Sequence, residues 1–277
     1  MEKETISKGV ALKKKTTDKP LPLEKSKGYK QVMQWLKSGK KKPFKFQTDA
    51  WAYYAEGYSG LVNAPTGFGK TFSLFLAVVI DELNKRADLG SAETGTKTAR
   101  PNSQQRITKD LKADFSKTTG NTKKPKTTSR KRQDTGLKLI WITPLRSLAK
   151  DLARAMREVC EELQMDWTVG VRNGDTTQSE KLKQKKQMPE VLIITPESMH
   201  LLLAQKSTFN YFEQLQCIVA DEWHELLGSK RGVMAELAIS RIKGLINRQH
   251  PERLLLIWGI SATIGNIEQA LDVLVHY

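Results

Sequence analysis

GLVNAPTGFGKTFSLFLAVVIDEL, residues 60–83, is the stretch that decides the fold. A short apolar run ends in a Gly-rich turn, and a long apolar helix follows. Within it, Ala64-Pro65-Thr66-Gly67-Phe68-Gly69-Lys70-Thr71 fits a phosphate-binding loop, with Ala64 where the strict pattern has Gly. Backbone N–H groups of such a loop, together with the N-terminus of the next helix, surround a polyphosphate. Lys70 is the point charge for the β- and γ-phosphates, and the Thr71 hydroxyl is a ligand for Mg2+. Thr66, Gly67, Phe68 and Gly69 complete the cradle. The competing reading is a plain glycine turn.

Working outward, LKLIWITP (137–144), VLIIT (191–195), CIVAD (217–221) and RLLLIWGIS (253–261) each contain a continuous apolar run. Such runs are typical of strands buried on both faces, and each is followed by a helix or loop. Strands alternating with helices predict an α/β fold, a mostly parallel sheet with helices on both faces. Asp221-Glu222-Trp223-His224 follows one of these runs, so two adjacent carboxylates stand at the C-terminal end of a buried strand, where ligands of such sheets bind. Beside a phosphate loop, Asp221 suits Mg2+ and Glu222 suits the attacking water. Ser261-Ala262-Thr263 closes the next strand. Upstream, YKQVMQWLKSGK and FKFQTDAWAYYAEG predict two amphipathic helices parted by Pro43. A further helix is expected over about 146–163, with Leu148, Leu152, Ala155 and Met156 on one face.

The formal charge of +16 is unevenly spread: residues 1–43 and 85–137 each carry +9, leaving −2 for the rest. The part with folding potential is nearly neutral, so the basic pI alone does not establish a nucleic-acid groove. Residues 1–27 are Lys-, Thr- and Pro-rich and are expected to form a disordered basic arm. Residues 88–136, with Phe115 as the only aromatic, are expected to be a disordered basic insertion inside a domain spanning 28–277. Loop closure costs little more as a loop lengthens, so the fold tolerates it. Cys160 and Cys217 lack CxxC spacing and are expected to be reduced buried thiols of a cytoplasmic protein. No run reaches the roughly 20 apolar residues of a membrane span, and the N-terminus lacks a secretory pattern.

The series APTGFGKT, TPLRSLAKDL (143–152), TPESMHLLL (195–203), DEWH and SAT, in this order, resembles the first RecA-like motor domain of superfamily 2 helicases of the DExH type. PFKFQTDAW, WITPLRSLAKDLARAM and NGDTTQSEK make it similar to the Lhr-type (large helicase-related) branch, including its ligase-associated members. The resemblance implies a P-loop NTPase that binds ATP and Mg2+. It implies movement along single-stranded or partly duplex nucleic acid, DNA favoured over RNA, with 3′-to-5′ unwinding. Gln47 matches the glutamine that reads adenine, with Phe44 or Phe46 lining the base pocket; a polar residue on a helix surface is the alternative. Thr143, Pro144, Leu145 and Arg146 match a motif lying along the nucleic-acid backbone, although Arg146 also suits a helix surface. Gly174, Asp175 and Thr176 match a second strand-contacting turn, and Thr195, Pro196 and Glu197 a third. Ser261 and Thr263 match the motif coupling nucleotide state to domain movement. His224 faces the domain interface in the same scheme, or is simply packed. Phe68 departs from the small residue usual in the family and is expected to pack on the insertion or on a second domain. That second RecA-like domain, carrying an arginine finger, is expected as a partner, since the resemblance ends near Tyr277. A binding module without turnover, a different P-loop ATPase and an RNA helicase are the competing readings.

Overall fold

The four apolar runs become four neighbouring strands, and the reason is visible residue by residue. Leu139, Trp141, Val191, Ile193, Cys217, Val219, Leu256, Trp258 and Ile260 join one core cluster. Their alternates Ile140, Ile142, Leu192, Ile194, Ile218, Ala220 and Ile257 join the other. A strand that must satisfy a core on each side has no position left for a polar residue, hence the unbroken apolar stretches.

The chain is described from a computed structural model over residues 10–14, 23–65, 67–94, 136–205, 209–262 and 264–275. Strand β1 (Val10–Lys14), a 3-10 turn (Leu23–Lys25), α1 (Lys27–Ser38) and α2 (Lys45–Ala55) precede β2 (Tyr58–Asn63) and α3 (Lys70–Thr94). Then come β3 (Leu139–Ile142), α4 (Arg146–Glu162), β4 (Val169–Arg172), α5 (Gln178–Lys186), β5 (Val191–Ile194) and α6 (Pro196–Leu203). The series closes with α7 (Phe209–Phe212), β6 (Cys217–Ala220), α8 (Trp223–Leu226), α9 (Lys230–Gln249), β7 (Leu256–Ser261) and α10 (Ile267–Val275).

The strands form one sheet in the order β1-β2-β7-β6-β3-β5-β4. All neighbours from β2 to β4 are parallel, and β1 runs antiparallel to β2. Helices α1 to α4 supply the first core and α6 to α10 the second. Both cysteines are free and buried. Among the described residues no helix is long and apolar enough to cross a membrane.

Three sequence expectations are corrected here. The arm over 1–27 is not wholly without structure: Val10–Lys14 pairs with Tyr58–Val62, and Leu23–Lys25 makes a turn. The physical cause is the free edge of β2, whose N–H and C=O groups need partners. The insertion does not begin at residue 88, because α3 runs on to Thr94. Asp81–Lys85 and Glu82–Arg86 ion pairs at i,i+4 support the turn before that segment, and Leu89, Ala92 and Glu93 are good helix formers within it. The rest of the expected insertion and arm lies outside the described residues. On α4, the inward face is Ala149, Ala153, Met156, Val159 and Cys160. Of the expected stripe only Met156 is buried; Leu148 is exposed, and Leu152 and Ala155 are half-buried, for a reason given below.

Candidate nucleotide site and nucleic-acid edge

Every motif sits at the C-terminal edge of the parallel strands, where a twisted α/β sheet leaves its crevice. After β2 the chain enters the loop, and Gly67 (φ 83°) and Gly69 (φ 71°) turn it through the left-handed region. A side chain is strained there, which is why glycine occupies both positions. The Lys70 side chain is only 8% exposed, and its Nζ has no hydrogen-bond partner. Its nearest charge is Glu222 Oε1 at 3.5 Å. A buried ammonium with three donors and no hydrogen-bonded acceptor is costly unless a ligand oxygen meets it.

Glu222 reaches Lys70 because its own backbone is left-handed (φ 45°, ψ 49°), which turns the chain sharply at the end of β6. A non-glycine residue held so costs about 1–2 kcal/mol, a strain typical of functional sites. Its Oε2 is buried without a hydrogen-bond partner. Asp221 is 6% exposed; its Oδ1 accepts the Glu222 N–H at 3.0 Å and its Oδ2 accepts the Trp141 indole N–H at 3.1 Å. Burial pushes its carboxyl up to about 6, and the Glu222 charge adds to that, while the Trp141 hydrogen bond and Lys70 pull it down. The loop glycines, Lys70, Thr71, Asp221 and Glu222 line a cavity of about 360 Å3, and its far wall is Leu148, Asp151, Leu152 and Ala155 of α4. This is why the expected apolar stripe on α4 is not in the core.

A second recess of about 220 Å3 adjoins the loop, lined by Phe44, Gln47, Phe68 and Lys41 among others. Gln47 is buried, with Oε1 accepting the Phe44 N–H and Nε2 donating to Gly69 O, both at 2.9 Å. It is therefore not a surface residue; the amide ties α2 to the phosphate loop. The Phe68 ring meets Phe44 edge-on at 5.4 Å between centroids, and Phe44 stacks on Phe46 at 5.9 Å. Phe68 thus packs on Phe44 and stays 47% exposed, while the insertion that it was expected to meet lies outside the described residues. Thr66 and Thr263 lie outside the described residues. Ser261 is fully buried; its Oγ is 2.9 Å from His224 Nδ1, and the same nitrogen stands 3.5 Å from Glu222 Oε2. The DEWH and SAT segments therefore meet through one imidazole.

Across the sheet edge, on β3, β5 and β4, the other predicted residues divide in two. Arg146, Gly174 and Asp175 are exposed, and Arg146 pairs with Asp175 at 3.5 Å. Gly174 lies so close that a Cβ there would stand 2.9 Å from the Arg146 guanidinium carbon. Pro144, Thr195 and Pro196 are buried, and the Thr195 hydroxyl is taken up by Ser198 at 3.2 Å. The side chains of these three are packed into their turns. Arg231 ties the turns together: Nη1 donates to Pro144 O at 2.7 Å, while Nε and Nη2 donate to the Glu197 carboxylate at 2.5 and 3.2 Å. Burial raises the Glu197 carboxyl, but the hydrogen bonds it accepts from Arg231 and its neighbours outweigh that and hold it below the usual range.

Residues 44–270 match the DEAD/DEAH box helicase family. The chain belongs to that family. Among curated relatives, this helicase domain is 29% identical to the ATP-dependent helicase Lhr-Core of Saccharolobus solfataricus over 226 residues, 79% of this chain and 21% of that protein. Among solved structures, it is 25% identical to the Mycobacterium smegmatis helicase Lhr bound to ssDNA and AMP-PNP, with a TM-score of 0.61, covering 87% of this chain and 26% of the other. The DUF1998 helicase MrfA bound to DNA and AMPPNP shares the fold, at 21% identity and a TM-score of 0.63, covering 93% and 29%. The helicase domain thus spans 21 to 29% of each of these relatives.

Sequence reading missed two residues of this edge. Trp141 carried one signal, since a fully buried indole N–H needs an acceptor somewhere. Arg231 carried none, because its partners lie 34 and 87 positions away.

Proposed function

We propose that this helicase domain is the ATP-binding motor of a cytoplasmic ATP-dependent DNA helicase. ATP hydrolysis would drive 3′-to-5′ movement on single-stranded or partly duplex DNA and so separate strands. The observation that carries the reading is the pair of orphaned buried atoms, Lys70 Nζ and Glu222 Oε2, facing a cavity of triphosphate size beneath a left-handed glycine loop.

Each residue then has a role. Loop N–H groups and Lys70 hold the β- and γ-phosphates, and Phe44, Phe68 and Gln47 take the adenine. Thr71 and Asp221 suit Mg2+, an oxygen-seeking ion that neutralises charge on the phosphates when bound. Glu222 Oε2, an acceptor with no donor, orients the attacking water and receives its proton. His224 passes the state of Glu222 to Ser261, and Arg231 tethers the Pro144 and Glu197 turns that hold the strand to each other. Arg146 and the Gly174-Asp175 turn contact backbone phosphate, which implies binding without base readout. Lys70 is the one cation among the described residues lining the phosphate cavity. Phosphoryl transfer gains about 10³–10⁵ in rate from an added arginine, so we assign that group to a second motor domain.

The test is steady-state ATP turnover by this chain, with and without single-stranded DNA, alongside anisotropy of labelled DNA and RNA strands. Strand binding with steep salt dependence, DNA preferred, and turnover near background is the expected result. Fast DNA-stimulated turnover by the chain alone overturns the claim of an outside arginine, and failure to bind any strand overturns the motor reading.

A further inference from the structure

Arg172 closes β4 at the edge of the sheet, and it is 5% exposed. Its guanidinium makes one hydrogen bond, from Nη1 to the neutral Gln184 Oε1 at 3.3 Å. Burial pulls its pKa down, with the Tyr211 phenol acting in the other direction, and among the described residues no carboxylate pairs with it. Five donors on a desolvated cation therefore share a single neutral acceptor. The same residue floors a cavity of about 350 Å3. Lys181 and Lys185, one turn apart on α5, stand on its wall, and Ser198 of α6 closes one side. Leu182 and Leu201 form its lips, at 59% and 68% exposed, and the fold gives neither a burial role.

We propose that this cavity seats one nucleotide of the bound strand, its phosphate on Arg172, Lys181 and Lys185 and its sugar and base against Leu182 and Leu201. A cationic floor under apolar lips fits a nucleotide unit better than a free anion, which would leave the two leucines without a partner. Continuity supports the strand as its source: Gly174 lines the cavity and also abuts Arg146, so the cavity extends the Arg146 contact along the edge. The inference rests on the strand-binding reading above and adds a subsite to it.

The experiment measures single-stranded DNA affinity against salt for Lys181→Gln/Lys185→Gln, Leu182→Ala/Leu201→Ala and Arg172→Gln. Arg146→Gln and a Lys30→Gln/Lys37→Gln pair on α1, at the other end of the sheet, serve as controls. Losing the cations at one phosphate lowers the salt slope by about 0.7 for a single strand and weakens binding roughly tenfold. The leucine pair should weaken binding with the slope unchanged, because it touches no phosphate. Both lysines and both leucines lie at the surface, so the test stands even if Arg172→Gln fails to fold. Full affinity in the lysine and leucine pairs, with Arg146→Gln weakened, overturns the subsite and leaves the track. Full affinity in all of them overturns the track as well. An equal loss in the α1 control pair means diffuse attraction and also overturns the subsite, as does inorganic phosphate binding that leaves strand affinity untouched.

Discussion

Replacing Asp221 by Asn should leave the ligand-free helicase domain as stable as the parent or somewhat more so at neutral pH, and less stable than the parent in acid. Burial holds the carboxyl at about 6, against 3.8 when unburied. The raised pKa means that the folded state binds a proton more tightly than the unfolded one. That contribution to stability is fully present below 3.8 and is lost as pH rises through about 6. A shift of about two units is worth about 3 kcal/mol at 1.36 kcal/mol per unit. Asn also gives up one of the two acceptors that serve the Glu222 N–H and the Trp141 indole, a cost of about 1–3 kcal/mol that does not change with pH. The diagnostic quantity is therefore the difference in unfolding free energy, variant minus parent, followed by urea denaturation from about pH 4 to about pH 7. It should rise by about 2 kcal/mol across that range when magnesium and nucleotide are left out. With both added, the parent should gain more stability than the variant at the upper end. A difference that stays flat with pH would refute the claim that the site holds a carboxylate at a cost met by its ligand.

Arg231→Lys keeps the charge but loses the fork that spans Pro144 O and Glu197. Arg231 and Glu197 are each more than a third exposed, so stability should fall by only about 1 kcal/mol, while strand affinity falls further because two turns lose their common tether. Unchanged affinity in anisotropy titrations would reduce Arg231 to a structural ion pair. Phe68→Ser removes one wall of the base recess, and an aromatic contact worth about 0.5–1.5 kcal/mol predicts a two- to tenfold weaker affinity for ATP. Inorganic triphosphate should bind as before, and equal weakening of both would place Phe68 in the phosphate cradle instead.

The parallel core was legible because strands buried on both faces must be apolar at every position, and four such runs stand out. β4 was not, since Val169–Arg172 is short, contains Gly170, and ends in a buried arginine that local patterning scores as exposed. β1 hid among lysines, and its strand state comes from the open edge of β2 rather than from its own residues. For the site, Lys70 and Thr71 follow β2 while Asp221 and Glu222 follow β6, and the two fall together because both motifs close parallel strands at the same edge, with β7 between them. The contacts that tune them do not follow from local order: Trp141 to Asp221 spans 80 positions and His224 to Ser261 spans 37. Phe68 shows the same limit, since its partner lies across the loop on the segment before α2.

The most direct measurement is a fluorescent-nucleotide titration of this chain beside Lys70→Ala and Glu222→Gln, in magnesium. Lys70 supplies the buried charge for the phosphates, whereas Glu222 acts on water, so the account predicts that Lys70→Ala abolishes ATP binding and Glu222→Gln keeps it near the parent value. Equal losses in the two variants, or ATP binding that survives Lys70→Ala, would contradict it.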